Sequence, residues 1–566
     1  MKNKELARIF FEIADVLEIM DVQWKPNAYR KAARSLDTMS KDIGIIYTKE
    51  GIKGLKSIPG VGQGIAEKIE EYLKTGKIKE YAQLQKKIPK GVHELINIPG
   101  LGPKKAWKLY KEKGIKSRAM LEKAAKAGKI KGLRGFGARS EEDILKGISL
   151  KKKSAKKVLL GNALPIARSL VASLKSTKGI QAIEIAGSIR RMKETIGDID
   201  ILAMTNNKSV IDSFTSLKNV KRVLAKGPTK ASVLLEDGIQ ADLRVLPKKS
   251  LGAGLQYFTG SKDHNVALRR IAMKKGYKLS EYGLFKNKKY ICGKTEKEIY
   301  SKLGLPFIPP ELRENIGELS KPVPNLIGYN SIKGDLQMHS KYSDGNNTIL
   351  EMARACEKMG YKYMALTDHS KSQRIAHGMD LPTLRKYLKE IAKVQKQVKI
   401  RILKGAEVDI LKDGSLDYPD KILKELDLVL AAVHSGFKQS ESAMTKRICT
   451  AIENPHVNIL AHPTGRLIGV RSGYAINLGK ICEVAKKNKV ALEIDSFPSR
   501  LDLNDVNARF ALSKGCKIAI NTDSHSTDHL SYIEYGIGQA RRAGAESKDV
   551  INTWPLARLE KFLRKK

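Results

Sequence analysis

Residues 183–204 read IEIAGSIRRMKETIGDIDILAM. The apolar runs at 182–186 and 199–204 have the composition of two β-strands. Between them lie a Gly-Ser pair, two arginines and an Asp-Ile-Asp. Alternate strand residues share a face, so Asp198 and Asp200 point the same way. Side-by-side carboxylates repel each other and are best tolerated where divalent cations bind between them. Gly187 and Ser188 open a turn whose backbone N–H groups can meet a phosphate, and Arg190 and Arg191 add positive charge nearby. Cation and phosphate contacts this close in sequence point to nucleotide chemistry. Further on, runs at 231–235 and 239–246 flank a turn at Glu236, Asp237 and Gly238 and read as a hairpin. Its second arm carries Asp242 among alternating apolar residues, so a neighbouring strand delivers a third carboxylate to the same cluster.

The chain has 566 residues, which suggests about three to five domains. Lys and Arg number 105 against 60 Asp and Glu, a net charge of +45. That excess fits a polyanionic partner, nucleic acid foremost. A solvated lysine-rich surface is the plainer alternative. The five cysteines (Cys292, Cys356, Cys449, Cys482, Cys516) are scattered and form no Cys-x-x-Cys. They argue for a reducing compartment and against a disulfide frame or a thiolate zinc site. Residues 1–20 mix charged with apolar side chains, unlike a signal peptide, and no run of about eighteen apolar residues occurs. The expectation is a cytoplasmic monomer with no membrane association.

Residues 1–80 have a helical pattern, with Leu6, Ile9, Phe10, Ile13 and Leu17 at helical spacing. SIPGVG at 57–62 returns as NIPGLG at 97–102 and, more loosely, as LRGFG at 133–137, each followed by a helical pattern. These stretches resemble helix-hairpin-helix motifs. Paired glycines bring the hairpin backbone close to a phosphate, and the next helix presents its first N–H groups. Gly60, Gly62, Gly100, Gly102, Gly135 and Gly137 are therefore expected DNA contacts that hold the backbone without reading bases. A single copy is a common tight helical turn; repetition in a basic chain is what points to DNA.

Beyond residue 332 apolar β runs at 363–366, 399–406, 428–433, 457–461, 490–494 and 517–520 alternate with helical patterns, consistent with a barrel. Ligand-type residues sit at the ends of these runs, where barrel enzymes place their sites. They are His339, His369, Glu407, His434, His462, Asp523 and His525, with Asp344 close by in sequence. One histidine after a strand is usually structural. Five of them joined by carboxylates are hard to explain without metal. A His, Asp and Glu set without thiolates suits zinc, manganese or iron and hydrolytic chemistry.

Together these motifs are recognisable. Residues 1–318 resemble the X family of DNA polymerases, residues 332–566 resemble a PHP (polymerase and histidinol phosphatase) domain, and the joined form is similar to the bacterial and archaeal family X enzymes. The resemblance implies a multidomain α+β chain. It comprises a lyase-like helix-hairpin-helix domain at 1–80, a second helix-hairpin-helix DNA-binding domain at 81–150 and a nucleotidyltransferase palm at 151–250. A thumb at 251–318, a linker at 319–331 and a distorted (β/α) PHP barrel at 332–566 follow. It implies that Asp198, Asp200 and Asp242 hold two Mg²⁺ or Mn²⁺ ions, with Asp242 on the ion nearer the primer 3′-OH. Gly187, Ser188, Arg191 and Gly197 would contact the triphosphate, and Tyr257, Phe258 and Gly260 would line the sugar pocket. Asn265 and Arg269 would face the nascent base pair, with Lys262 where an acidic residue is usual. Lys68 matches the Schiff-base lysine of a 5′-deoxyribose-phosphate lyase, with Lys25 and Tyr29 near the 5′-phosphate and Trp24 replacing a histidine. The plainer role for Lys68 is phosphate binding.

In the barrel, His339, Asp344, His369, Glu407, His434, His462, Asp523 and His525 would hold up to three Zn²⁺ or Mn²⁺ ions. Gln337 stands where many members begin a His-x-His. The implied function is a DNA polymerase that fills short gaps in repair. It would use gapped or nicked DNA, deoxynucleoside triphosphates and no organic cofactor. A 3′→5′ exonuclease is implied beside it, with AP-endonuclease or 3′-phosphatase activity as further expectations. Three alternatives stay open on the residues alone: a template-independent nucleotidyltransferase, a catalytically silent DNA-binding scaffold and a small-molecule phosphatase.

Overall fold

The computed structural model describes residues 2–564 except 39–42, 59, 97, 99–100, 134–135, 137–140, 142–143, 146–147, 149–156, 206 and 208. The chain forms two compact units, Met1–Ala155 with Gly469–Arg471, and Lys156–Ile468 with Ser472–Lys566.

The first unit is helical. The positions spaced for a helix near the N-terminus, Leu6, Ile9, Phe10, Ile13 and Leu17, are all buried on one side of Lys2–Ile19. They share a core with Leu36, Leu55 and Ile69 from the helices Lys25–Thr38, Ile43–Lys56 and Gln63–Thr75. The same core continues through Leu95, Leu109 and Leu121. Two glycine-flanked helices stand out. Gln63–Thr75 begins after Gly62, and Pro103–Lys113 begins after Gly102 with proline in its first turn, where the missing N–H costs nothing. Both end on a left-handed glycine, Gly76 and Gly114.

The second unit starts with a five-stranded sheet ordered Ala182–Ile185, Asp198–Met204, Gln240–Leu246, Lys230–Leu235, Val220–Lys226. The second and third of these run parallel and the other pairs antiparallel. Helices Leu160–Lys175 and Ser209–Thr215 supply Leu170, Val210 and Phe214 to the sheet's core. The turn expected at Gly187 and Ser188 is a single helical turn, Gly187–Arg190. Next come the helices Leu251–Thr259 and Lys262–Lys274, a three-stranded antiparallel sheet and the helix Glu296–Lys302, around Leu268, Leu284, Tyr300 and Ile308. The helix Lys262–Lys274 starts where the Ser261 hydroxyl accepts the His264 N–H at 3.3 Å and caps it.

The last part is a seven-stranded parallel sheet whose strands follow in chain order. They are Gly334–Asp335, Tyr363–Leu366, Arg401–Asp409, Leu428–Ala432, Ile459–Leu460, Ala491–Asp495 and Ile518–Asn521. A bridge between Met338 and Ser524 joins the first and last strands, so the sheet closes into a distorted barrel. The run expected as a strand over 457–461 pairs only at Ile459–Leu460.

The segment at 319–331, expected as a linker, is tied down. Ile327 lies in the barrel core, and the Asn325 N–H donates to Glu546 at 2.9 Å. Sheet and barrel also share a core, since Leu501 and Tyr535 of the barrel region pack among Leu160, Ile189 and Met192 of the sheet region. Gly161 is needed there, because a β-carbon would come within 2.5 Å of Pro498. Leu501→Ala should therefore lower stability by about 2–5 kcal/mol. Calorimetry of the full chain would read this as a depressed unfolding midpoint for the second unit, and an unchanged midpoint would rule out the shared core.

Candidate active sites

In the five-stranded sheet Asp200 stands directly opposite Asp242 across the parallel pair, with Asp198 two residues earlier on the same face. One oxygen from each of the three carboxylates lies within 4.8 Å of the others. Burial and the two neighbouring carboxylates push the Asp200 carboxyl up to about 7, although Arg191 and Arg244 oppose the shift. Asp198 is also raised, by burial and by Asp242. Gln240 donates to Asp242 at 3.1 Å. The Gly187–Arg190 turn passes directly over this cluster. Gly187 has φ +63°, and a β-carbon on it would lie 2.1 Å from an Asp200 oxygen, so only glycine fits. Gly197 is exposed with no atom within 4 Å of where a β-carbon would be.

The two arginines of the turn have different surroundings. Arg190 pairs in bidentate fashion with Glu296 at 2.6 and 3.0 Å, and Arg313 binds the same carboxylate at 2.6 Å. Arg191 donates to the Thr259 carbonyl and, through Nε, to Glu314 at 3.2 Å. A β-carbon on Gly260 would lie 3.1 Å from its Nη1. Tyr257 and Phe258 meet edge to face at 5.1 Å, and Arg244 lies over the Phe258 ring. Asn265 is turned inward. Its amide donates to the Tyr257 carbonyl at 2.7 Å and accepts from Gln256 at 2.7 Å, which braces the two thumb helices. The half-buried Arg269 donates to the Asn265 carbonyl at 3.3 Å.

At the mouth of the barrel three groups each bring ligand atoms within 4.8 Å of one another. They are His339, Asp344, His369 and His525; His369, Glu407 and His434; and His339, Glu407 and Asp523. His462 falls outside these groups, but its Nε2 lies 2.8 Å from Glu407. Buried Nδ1 atoms of His339, His369 and His462 have no hydrogen-bond partner. An orphaned buried imidazole nitrogen is costly, and a cation that accepts its lone pair removes the cost. The donor set therefore fits divalent metal ions. His462 and Asp523 both carry positive φ, strain of the kind found at functional sites. Opposed only by burial, Asp344 and Glu407 raise His525 and His434 to about 10, while burial depresses His369 to about 3.

Gln337 belongs to none of these groups. Its amide lies against the Glu493 carboxylate, and the orientation that satisfies both groups turns its nitrogen to donate there at 2.9 Å. Two neighbours escaped the sequence reading. Asp409 binds His434 Nδ1 at 2.5 Å, and its place two residues after Glu407 on one strand was a usable signal. Arg500 reaches within 3.3 Å of Asp495 and 3.7 Å of Asp523 from a loop, with no local pattern to mark it.

In the helical unit Gly60 has φ +81° and packs against Lys31. Gly62 and Gly102 face open space. Gly100, Gly135 and Gly137 lie outside the described residues. The Lys68 ammonium pairs with Glu80 at 2.9 Å, and the Tyr29 hydroxyl donates to the same carboxylate at 3.0 Å. Lys25 and Trp24, shortly before Tyr29 in sequence, are exposed. Glu80 is a further neighbour that the sequence pattern did not single out.

Four family models match the chain: a helix-hairpin-helix domain at residues 1–78, a SAM-like helix-hairpin-helix tandem at 92–149, the DNA polymerase beta thumb at 254–314 and the PHP domain at 335–496. A DNA polymerase/3′-5′ exonuclease PolX of Bacillus subtilis (strain 168) is 40% identical over 574 aligned residues, covering 100% of both chains. The chain belongs to the PolX family. Proteins named probable phosphatase from Thermoanaerobacter sp. (strain X514) and Thermoanaerobacter pseudethanolicus are each 32% identical over 231 residues, covering 39% of this chain and 89% of theirs. The family's fold expectation holds, with helix-hairpin-helix regions, a polymerase-beta thumb and a PHP barrel in one chain. Among the described residues no helix is long and apolar enough to cross a membrane.

The raised Asp200 carboxyl has a consequence for metal binding. The folded state holds this proton more tightly than the unfolded chain does. Ionisation therefore costs cation-free stability as pH climbs from the ordinary carboxylate range to about 7. A cation needs the carboxylate and displaces the proton. Titration calorimetry with Mg²⁺ at pH 6 should show release of about one proton that Asp200→Asn lacks, and affinity should level off above pH 7. Equal release by the two proteins would overturn the assignment.

Proposed function

We propose that this chain fills short gaps in DNA with its nucleotidyltransferase palm and trims or cleans 3′ ends with its PHP barrel. The observation that carries the reading is the full-length match to a polymerase/exonuclease, which spans both carboxylate clusters. On this reading Asp198, Asp200 and Asp242 hold Mg²⁺ or Mn²⁺, and the barrel's histidines and carboxylates hold Zn²⁺ or Mn²⁺. Bound divalent cations supply the positive charge that phosphoryl transfer demands. The chain's own residues do the rest. Arg191 and the backbone at Gly187 and Ser188 bind the triphosphate, while Gly197 leaves room for it. Tyr257, Phe258 and Gly260 set the sugar's position. A bond forms from the primer O3′ to the α-phosphorus as pyrophosphate departs. Arg190, committed to Glu296, holds the turn in place rather than binding nucleotide.

In the barrel Asp409 orients His434, and Arg500 offsets the charge of Asp523. The relatives named probable phosphatase match 39% of the chain, a share close to the length of the barrel region, which favours removal of a 3′-phosphate as a second activity of this domain. Open space at Gly62 and Gly102 supports close approach of a DNA backbone to those turns. Lys68 is the candidate Schiff-base nucleophile, and its amine would have to leave Glu80 to attack a sugar aldehyde.

With Mg²⁺ or Mn²⁺ the purified chain should extend a primer across a single-nucleotide gap. Asp198→Ala should abolish extension and keep 3′-end degradation, and His339→Ala should do the reverse. Loss of both activities in both folded variants would defeat the two-site reading. For the lyase, borohydride should trap a covalent adduct with 5′-deoxyribose-phosphate DNA that Lys68→Ala cannot form. Equal trapping by the variant would leave Lys68 a phosphate contact.

A further inference from the structure

The turn that carries Arg191 is braced from the barrel. Helix Ile533–Ala543 lies so close that a β-carbon on Gly538 would meet Met192 at 2.6 Å. Gln539 donates to the Met192 carbonyl at 2.9 Å, and Arg542 Nη1 donates to the Arg191 carbonyl at 2.7 Å. Arg542 is 1% exposed. Its Nη1 also binds Glu314 Oε1 at 3.0 Å, and its Nη2 binds Asp505 at 2.6 Å. Glu314 is the carboxylate that Arg191 Nε engages at 3.2 Å, through the same Oε1 atom. Lys193 lies farther from it, at 3.9 Å.

This arrangement sets up a competition. The Arg191 guanidinium is taken up by Glu314 and the Thr259 carbonyl. An incoming triphosphate must draw it away from Glu314. A half-buried carboxylate that loses its only close cation carries a large penalty. Arg542 removes that penalty by staying on Glu314 after Arg191 leaves. Its planar fork reaches the Arg191 carbonyl, Glu314 and Asp505 together, which an ammonium cannot do.

We propose that Arg542, from the barrel, is a positioning residue of the polymerase site: it holds Glu314 and the Arg191 carbonyl so that Arg191 can exchange Glu314 for the nucleotide triphosphate. The proposal rests on the assignment of Arg191 to the triphosphate.

Steady-state gap filling by the full chain with Mg²⁺ tests it. Arg542→Gln should raise the KM for the deoxynucleoside triphosphate about tenfold or more and leave kcat within about twofold, the pattern of lost ground-state binding. Nuclease activity of the barrel should stay unchanged in that variant. Adding Glu314→Gln should restore KM, because the uncompensated carboxylate is then gone, and a purely structural role for Arg542 would give no such rescue. Arg191→Gln should raise KM in the wild-type background and add less in the Arg542→Gln background. If Arg191→Gln leaves KM unchanged, the triphosphate assignment fails and the proposal with it. If Arg191→Gln raises KM and Arg542→Gln does not, only the role of Arg542 falls. Should Arg542→Gln fail to fold, the isosteric Glu314→Gln decides alone. It must lower KM by releasing Arg191, and an unchanged or higher KM overturns the proposal.

Discussion

In the two acid clusters carboxylates are held closer together than their charges allow unless a cation compensates them. The sheet puts Asp200 opposite Asp242 because the two strands run parallel in that register, and the pleat puts Asp198 on the same face. The cost appears as an Asp200 carboxyl raised to about 7. In the barrel carboxylates and imidazoles are crowded together instead, and Glu407 and Asp344 raise His434 and His525. The first cluster is strand-borne and partly open, which suits a substrate that brings its own phosphates. The second is almost wholly buried and surrounded by fixed donors, which suits tightly held ions.

Much of the surrounding structure keeps these charges in place. Glu296 ties Arg190 to Arg313 and so joins the palm turn to the thumb's end. His264 links Glu318 to Tyr300 within the thumb, at 2.7 and 2.8 Å. Asn265 spends its amide on the junction between the two thumb helices. Glu296, His264 and Asn265 are buried and hydrogen-bonded, as low-dielectric surroundings require.

The joint between palm and barrel belongs to the same network. Leu501 and Tyr535 contribute apolar surface to the palm's core. Around that core Arg168 pairs with Glu534 at 2.5 Å, Arg466 with Glu194 at 2.6 Å, and Arg542 with Glu314 and Asp505. A shared core with ion pairs at its edge resists relative sliding far more than exposed ion pairs alone would. The nuclease-type domain is thus part of the support of the polymerase-type one, beyond being joined to it by chain.

The sequence determined which ligand-type side chains come together in each cluster. The Asp-x-Asp, the hairpin aspartate and the strand-end histidines could be read locally, because strand periodicity decides which side chains share a face and barrel topology gathers strand ends. The helix of the first unit was equally legible in Leu6, Ile9, Phe10, Ile13 and Leu17, whose spacing is the burial pattern itself. What only the tertiary structure decided were contacts between residues far apart in the chain. No local pattern couples Lys68 to Glu80, splits Arg190 from Arg191, turns Gln337 toward Glu493 or brings Arg542 to the Arg191 carbonyl. Those pairings depend on how whole elements pack, and an isolated arginine or glutamate in sequence is indistinguishable from a solvated one.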